Sequence, residues 1–591
     1  MGKKLKETEL QRYWVGEIER AEKCKEAWRK KFQVEACYKY FLGDQRPENY
    51  AAEDWFTLNL VYSNIHAQIP SLYFKDPYFF VRLKRSYIPD QQYIELVELN
   101  MRVREGVLNY LQGENDLVSK GQLCILDAFF QFGVLKARYV SKFERNPDGG
   151  RGAPKETLVA EKFKWERVNP NNILVSADAG CEEFTWIAQK CVDYYENVKN
   201  NPLYEGNTAK LESDANLKDY DEDASNSDGF LPKLGGKSRK KFMGDTPDSE
   251  KLVTFWEIYD ISRNLMWVVA SNNDRPLLKR SMPKGIDGHP FSFLRFNDNT
   301  DENGEESWYP IPEVFNQLGA QAEYNLACND VALHRKRFKR KYGVYEGCID
   351  EEELEKLEDP IDGQVVKMAH PDWQTKFAAI EDPPLNNAVY YDRTQLRVDF
   401  YDMAGAGPDS AVAGKSDTAT EAEILNNRLQ IRESDKQYRI RKFLIHGARK
   451  IHQLLEAQLT TEGAVHVVGP RGKGWIQYNN KSFGKIEGEI EFDIDVASMA
   501  PRNIQTERAQ LLQFFQTIMQ APMIFTDPKI MEYLAEKFDI HEEGFMKALT
   551  ERMVEMTQMA QQQEGLLSNM PGGNSPVAGI GDTLRALQGG G

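Results

Sequence analysis

The chain has 591 residues, long enough for several domains, and its 41% hydrophobic and 11% aromatic content fits a globular protein with a sizeable core. A formal net charge of −16 argues against a protein that wraps nucleic acid tightly, because such proteins present a basic face that displaces phosphate counterions; it does not exclude one that lets nucleic acid slide past. No run of apolar residues is long enough to span a bilayer, so no membrane partner is expected.

Residues 3–42 read as one helix rich in Lys, Glu and aromatics, stopped near Gly43. Residues 58–77 read as an apolar helix ended by Pro70, followed by an extended piece set by Pro77. One or two helices are expected over 91–132, with Gly113 and Gly121 as possible breaks. From Gly133 the period changes to that of strands: 135–143 and 157–168 around the turn Asn146-Pro147-Asp148-Gly149-Gly150, then 184–192, 252–270 and 291–296. The polar, Asp- and Ser-rich residues 200–248 read as a mobile acidic surface insertion.

Helix returns at Pro310, with Pro312 in the first turn and Val314, Leu318, Gln321, Tyr324 and Cys328 on one face, as far as Arg337. A small α/β module follows: a strand at 341–347, an acidic helix at 350–357 and a strand at 363–368. Residues 385–402 are helical again. The two bracketing helices, about 25 and 18 residues or roughly 37 and 27 Å, read as an antiparallel pair with a module at its tip. A small-residue loop, Met403 to Asp417, then leads into a long helix. Thr418 with Glu421 and Thr420 with Glu423 have capping-box spacing. Leu425, Leu429, Ile440, Leu444, Ala448, Ile451, Leu455 and Leu459 mark one face, and Arg428, Arg432, Glu433, Asp435, Lys436, Arg439 and Lys442 the other. At 1.5 Å per residue this helix reaches roughly 60 Å and reads as a strut. Beyond it, 464–478 and 487–496 read as β, 503–562 as Met/Gln-rich helices and 563–591 as a disordered tail.

Few motifs carry chemistry. Gly414-Lys415-Ser416 ends like a P-loop, but Asp409 stands where the first glycine belongs and would set a carboxylate against phosphate. The run starting Asp219-Tyr220-Asp221 opens like an EF-hand loop, yet its sixth position is Ala224 and its twelfth Phe230, so it reads as a solvated acidic segment. The basic run His334, Arg335, Lys336, Arg337, Lys339, Arg340, Lys341 could meet phosphates or an acidic partner, or could simply be a solvated helix end that suits the C-terminal dipole. His446 and His452 have no zinc-spaced companions and read as packing or surface residues. The seven cysteines (Cys24, Cys37, Cys124, Cys181, Cys191, Cys328 and Cys348) contain no CxxC pair and follow no signal peptide, which suggests a reduced cytosolic protein with buried or idle thiols. No catalytic signature stands out, and no enzyme activity, metal or cofactor is expected.

The order of elements resembles the portal proteins of tailed bacteriophages, over about residues 55–549. Four stretches carry the resemblance: Asn59-Leu60-Val61-Tyr62-Ser63-Asn64-Ile65-His66-Ala67-Gln68-Ile69-Pro70-Ser71-Leu72-Tyr73 with Asp76-Pro77; the helix–α/β–helix of 310–402; the loop and strut of 403–459; and Phe492-Asp493-Ile494-Asp495-Val496-Ala497-Ser498-Met499. The resemblance implies an α+β chain of portal-like architecture. Residues 1–309 would be N-terminal helices and a β-rich wing, with 310–338 and 385–402 as stem helices and 339–384 as the clip. The remainder would be a tunnel loop at 403–417, a long wing helix at 418–460, a wing β segment at 461–502, crown helices at 503–562 and the tail.

It further implies a homo-oligomeric ring, a dodecamer, at one capsid vertex of the virion, assembled in the host cytoplasm. Double-stranded DNA would pass through the channel during packaging and ejection. The terminase large subunit, the head–tail adaptor, and the major capsid and scaffold proteins would be its partners. Gly405, Gly407, Ser410, Gly414, Lys415 and Ser416 would line the channel on the tunnel loop. Arg335, Lys336, Arg337, Lys339, Arg340 and Lys341 could contact phosphates where stem meets clip. Glu351, Glu352, Glu353, Glu355 and Lys356 of the clip would dock terminase or adaptor. Two rivals remain: a virion scaffold protein built on a long helix without a channel, and a P-loop-like packaging ATPase.

Overall fold

The computed structural model describes residues 7–145, 156–180, 183–204, 206–216, 251–300, 304–337, 341–358, 365–380, 387–404, 419–469, 472–484, 486–494 and 499. The molecule is mixed helix and sheet, an α+β chain. Its helices are α1 (Glu7–Lys31), α2 (Val34–Leu42), α3 (Leu60–Leu72), α4 (Gln91–Asn115), α5 (Leu117–Phe130), α6 (Tyr195–Lys199), α7 (Leu318–Arg337), α8 (Glu351–Glu358), α9 (Trp373–Lys376), α10 (Asn387–Ala404) and α11 (Ala419–Gln458). The strands are β1 (Phe79–Ser86), β2 (Gly133–Arg145), β3 (Glu156–Arg167), β4 (Ile173–Val175), β5 (Trp186–Tyr194), β6 (Ala215–Asn216), β7 (Lys251–Asp260), β8 (Leu265–Ala270), β9 (Leu278–Ser281), β10 (Phe291–Leu294), β11 (Asn299–Thr300), β12 (Glu306–Ser307), β13 (Lys341–Val344), β14 (Phe377–Ile380), β15 (Gly463–Gly469), β16 (Gly472–Tyr478) and β17 (Gly488–Ile494). None of the described helices is long and apolar enough to cross a membrane.

The described residues fall into two compact units, one from residues up to 77 with 111–459 and 491–500, the other from 78–110 and 460–490. The first is built on an antiparallel sheet of order β4-β5-β7-β8-β9, with β6 added beside the start of β7. Strand periodicity splits its residues between two cores. Ile173, Val175, Ile187, Val253, Phe255, Tyr259, Met266, Val268 and Ala270 join a cluster with Phe132, Val134, Phe291 and Trp308, which belong to or flank the three-stranded sheet β10-β2-β3. The alternate residues Leu174, Trp186, Ala188, Trp256, Ile258, Trp267 and Val269 pack under Trp14, Ile18 and Ala21 of α1. The helix α11 lies against β2, β3 and β10, and α5 against β2 and β3. Gly447 is where α11 comes close, since a Cβ there would sit 3.3 Å from the Trp165 indole nitrogen. The order is therefore helix, sheet, sheet, helices.

A buried lysine fastens α1. The Lys25 ammonium donates to the carbonyls of Pro170 at 2.6 Å, Asn171 at 3.1 Å and Ile173 at 2.8 Å, and burial holds its pKa well below the usual lysine range. On the opposite side of the large sheet, Lys136 bridges to Glu257 at 2.8 Å and Gln189 at 2.7 Å, and that pairing outweighs burial to keep it protonated.

In the second unit, α4 supports β1 by side chains. Asn109 donates to the Phe79 carbonyl and accepts from its N–H, both at 2.9 Å, while Glu105 accepts from Val81 N at 3.1 Å and from the Tyr78 hydroxyl at 2.8 Å. Arg104 is fully buried, donates to the carbonyls of Ser482 and Gly484, and covers the Phe483 ring.

Several sequence expectations need correction. The N-terminal helix is two helices, because Gln33 adopts a left-handed conformation (φ 47°) and breaks it; the stop at Gly43 (φ 89°) is as expected. Pro70 lies inside α3, which runs on to Leu72. The break between α4 and α5 is at Asp116 (φ 48°), and neither Gly113 nor Gly121 interrupts a helix. Gly121 serves packing, since a Cβ there would meet the Tyr73 ring at 2.5 Å. Residues 252–270 are two strands joined by a turn. The insertion begins later than expected: Tyr204 and Leu211 are buried in the larger core and β6 pairs with β7, while the EF-hand-like run lies outside the described residues. The segments 503–562 and 563–591 also lie outside them. Among the described cysteines, Cys37, Cys124, Cys328 and Cys348 are buried, and all are free thiols.

Candidate functional site

Two helices and the module between them form a stalk. Pro312 stands just before a short 3-10 turn, Glu313–Gln317, rather than inside a first α-turn, and α7 continues from it. The helices α7 and α10 pack side by side. Arg393 lies beside Cys328, and both Arg393 and Arg397 lie beside Tyr324, so the two run antiparallel. At the tip, β13 pairs antiparallel with β14, from Lys341 opposite Ile380 to Val344 opposite Phe377. The acidic helix α8 forms as expected. The described part of the expected strand at 363–368 is not a strand, and β14 takes the pairing instead.

One face of α7 carries a row of amides at four-residue steps, Gln321, Asn325 and Asn329, all buried. They grip the extended segment that precedes α3. Asn329 accepts from Phe56 N at 3.0 Å and donates to its carbonyl at 2.9 Å; Asn325 accepts from Leu58 N at 3.0 Å. Gln321 donates to the Leu58 carbonyl at 2.8 Å and accepts from Leu60 N at 2.9 Å and Val61 N at 3.2 Å, two of the donors a helix N-terminus leaves unpaired. Sequence reasoning placed Gln321 on a helical face but missed Asn325 and Asn329. Their signal was the four-residue spacing of amides that continues from Gln321.

The stalk is anchored where α10 ends. Phe400 and Ala404 are fully buried, and Arg432 donates to the Asp402 carbonyl at 2.9 Å. Lys436, on the charged face opposite the apolar one, is buried. It donates to Gln68 at 2.9 Å, pairs with Glu313 at 3.1 Å and stands over the rings of Phe129 and Phe296. Arg439, on the same side, pairs with Asp298 at 3.0 Å and with Asp435 at 3.2 Å. The apolar face of α11 is as expected from Ile440 through Leu444, Ala448, Ile451 and Leu455, with Leu459 just past its end, all of them buried. His452 is buried against Phe492 and His446 is exposed.

The expected site residues divide into three groups. Gly405, Gly407, Ser410, Gly414, Lys415 and Ser416 lie outside the described residues, as does the P-loop-like run. Of the basic run, Arg335 and Lys336 are exposed at the end of α7, and Lys336 spends part of its charge on Asp54 at 3.2 Å; Lys339 and Arg340 lie outside the described residues. On α8, Glu351, Glu352 and Glu355 are exposed. Glu353 turns inward, accepting from Lys356 at 2.7 Å and from Lys367 N at 3.0 Å, and these bonds hold its carboxyl below the usual range.

Elsewhere, a shallow depression of about 400 Å³ is lined by Trp14, Glu17, Arg20, Asp178, Asp260 and Arg263. Its carboxylates are already engaged: Glu17 with Arg20 at 2.8 Å, Asp260 with Arg263 at 3.3 Å and Asp178 with Thr185 at 3.4 Å. Among the described residues no cluster of His, Cys, Asp or Glu could hold a metal ion. No protein-family model matches the sequence, and no curated protein matches it.

Proposed function

We propose that the chain is the subunit of a ring-shaped DNA channel, the portal at one vertex of a tailed-phage capsid. The observation that carries this reading is the antiparallel pair α7 and α10 with a small α/β tip, followed through residues 405–418 by the 40-residue helix α11. In this reading α7 and α10 are the stem, 341–380 the clip and α11 the long wing helix. Met403–Asp417 is the tunnel loop, with Lys415 as its cation. The exposed acids Glu351, Glu352 and Glu355 belong to the clip surface that terminase and the head–tail adaptor meet in turn. A net charge of −16 per copy suits walls past which DNA slides with few lasting phosphate contacts. The protein then works as a conduit without cofactor or catalytic step, in packaging, head–tail joining and ejection.

Negative-stain electron microscopy of the purified chain tests the reading. A closed ring in top view, near twelvefold and with a central hole wide enough for a duplex, is the expected result. Monomers or open filaments that persist with capsid or scaffold protein present would replace it with a scaffold role for α11. Nucleotide binding at micromolar concentration would replace it with the ATPase.

A further inference from the structure

Residues 436–455 of α11 carry six cations, Lys436, Arg439, Arg441, Lys442, Arg449 and Lys450, and no acid, where the chain's average of 91 acids in 591 residues would place about three. Folding accounts for four of the six. Lys436 is held by Glu313, Arg439 by Asp298 and Asp435, and Arg441 by Asp493, while Lys450 donates to the Asp287 carbonyl. Lys442 and Arg449 are exposed and make no ion pair among the described residues.

These two share the outer face of α11 with Tyr438 and His446, which are also exposed. Positions 438, 442, 446 and 449 follow one another at single-turn steps. The Lys442 ammonium stands 4.8 Å from the centre of the Tyr438 ring. Desolvation, then the charges of Arg449, Lys450 and Lys442, oppose protonation of the His446 ring. Like charges at this spacing cost a helix stability, so α11 itself gains nothing from the stripe. Beyond its end the loop that carries exposed Lys284 lies beside α11, where the Lys284 carbonyl accepts from Gln458 at 3.5 Å.

The spacing says what the stripe fits. The seven residues from Lys442 to Arg449 rise about 10.5 Å, and three nucleotides of one duplex strand rise about 10.2 Å. Lysine, arginine and the tyrosine hydroxyl are groups that meet phosphate oxygens, and such contacts hold a backbone without reading its sequence.

We infer that the outer face of α11, at Tyr438, Lys442, His446 and Arg449, is a contact for the phosphate backbone of duplex DNA. Lys442 lies 23 residues past Ala419, about 35 Å along α11, so this is a second place on the chain, apart from the loop 403–417. The inference rests on the channel reading only for the source of the DNA; the contact itself needs no ring. Two cations neutralise few phosphates, so the contact is weak and DNA can leave it.

Fluorescence anisotropy of a short duplex with the full-length monomer at low salt tests it. Lys442→Gln with Arg449→Gln is expected to weaken binding about 10-fold and to lower the slope of log affinity against log salt by about two. Arg12→Gln with Lys23→Gln, which removes two exposed cations of α1, is expected to change affinity by less than about twofold. Lys442→Arg with Arg449→Lys is expected to bind like wild type, which keeps the result readable if the glutamines disturb the helix. Acetylation of Lys442, read by mass spectrometry, is expected to slow about 5-fold when duplex is added, with Lys23 unchanged. Equal losses from the α11 and α1 pairs would mean diffuse attraction and overturn the inference. Equal protection of Lys442 by poly-glutamate of matched charge would overturn it too and give the face to an acidic protein. A closed ring whose α11 variant binds DNA like wild type would keep the channel and sink this contact. Monomers or filaments with α11-dependent binding would keep the contact and sink the ring.

Discussion

Lys436 joins four elements through one ammonium. It reaches Gln68 on α3 and Glu313 at the base of the stalk, and through Gln68 the end of α10, where the Ala404 carbonyl accepts at 3.5 Å. Removing one member of such a buried pair leaves the other charge uncompensated. Lys436→Met is expected to destabilise the first unit by about 3–5 kcal/mol in urea unfolding, and Glu313→Leu added to it to recover about half of that. If the single variant unfolds like wild type, the pair is too well hydrated to matter.

His289 makes a second prediction at this scale. Its Nδ1 accepts from Phe291 N at 3.2 Å, and its ring is closed in by Phe184, Phe291 and Phe293. Lys450 and His446 face it from α11, and burial first, then these two, push its pKa down to about 3. The unfolded chain therefore binds this proton below about pH 6.5 while the folded chain does not, so stability present above 6.5 falls as the pH drops. One such ring contributes at most about 1.4 kcal/mol per pH unit. Buried Asp127, raised to about 6, works in the opposite sense below pH 6 despite its bidentate bond to Arg167. The informative quantity is thus the difference from His289→Gln, whose stability is expected to fall less steeply between pH 6.5 and 5; parallel curves would count against a buried neutral ring.

At the scale of elements, one device recurs: a helix lends side-chain hydrogen bonds to an edge of an extended segment that no strand covers. Asn109 and Glu105 of α4 do this for β1, and Gln321, Asn325 and Asn329 of α7 do it for residues 56–61. Gln321→Leu would strand the buried Val61 N–H and leave the Leu60 N–H and the Leu58 carbonyl only their bond to each other, for a loss of about 1–3 kcal/mol and faster exchange at 56–61. Glu323→Ala on the exposed side of the same helix is expected to stay within about 0.5 kcal/mol.

This device also explains what the sequence hid. The long helix α11 was legible because its apolar residues keep one period for forty residues, and the sheet strands because alternation marks their two faces. The breaks at Gln33 and Asp116 carry no glycine or proline to announce them; packing on either side holds each residue at positive φ. Lys436 stands on a charged stripe, where a lysine is normally solvated, and only Glu313, more than a hundred positions earlier, reveals otherwise. Of the candidate site, the two helices and the acidic α8 were legible from periodicity and composition. The sheet partner at the tip was not, because two four-residue strands carry too little pattern to distinguish 363–368 from β14.

For the whole molecule, charge makes the sharpest test. A protein that holds DNA by neutralising phosphates releases counterions, so its affinity falls steeply with salt. This chain has 91 acidic against 75 basic residues, and two of the described cations nearest the proposed channel exit, Lys336 and Lys356, are already paired with carboxylates. A conduit with these walls is expected to bind a short duplex with a dissociation constant no tighter than about 10 μM near physiological salt, and with a shallow salt slope, read by fluorescence anisotropy on both monomer and assembled fractions. Nanomolar binding that loses about 1,000-fold between low and moderate salt would mean a continuous basic surface and would contradict free passage. Weak binding in both fractions, together with retention of long linear DNA by the assembled fraction alone, would mean that the duplex is held by threading. Encirclement keeps DNA in place without a phosphate contact at every turn, and that is what a channel must do if DNA is to move in both directions through it.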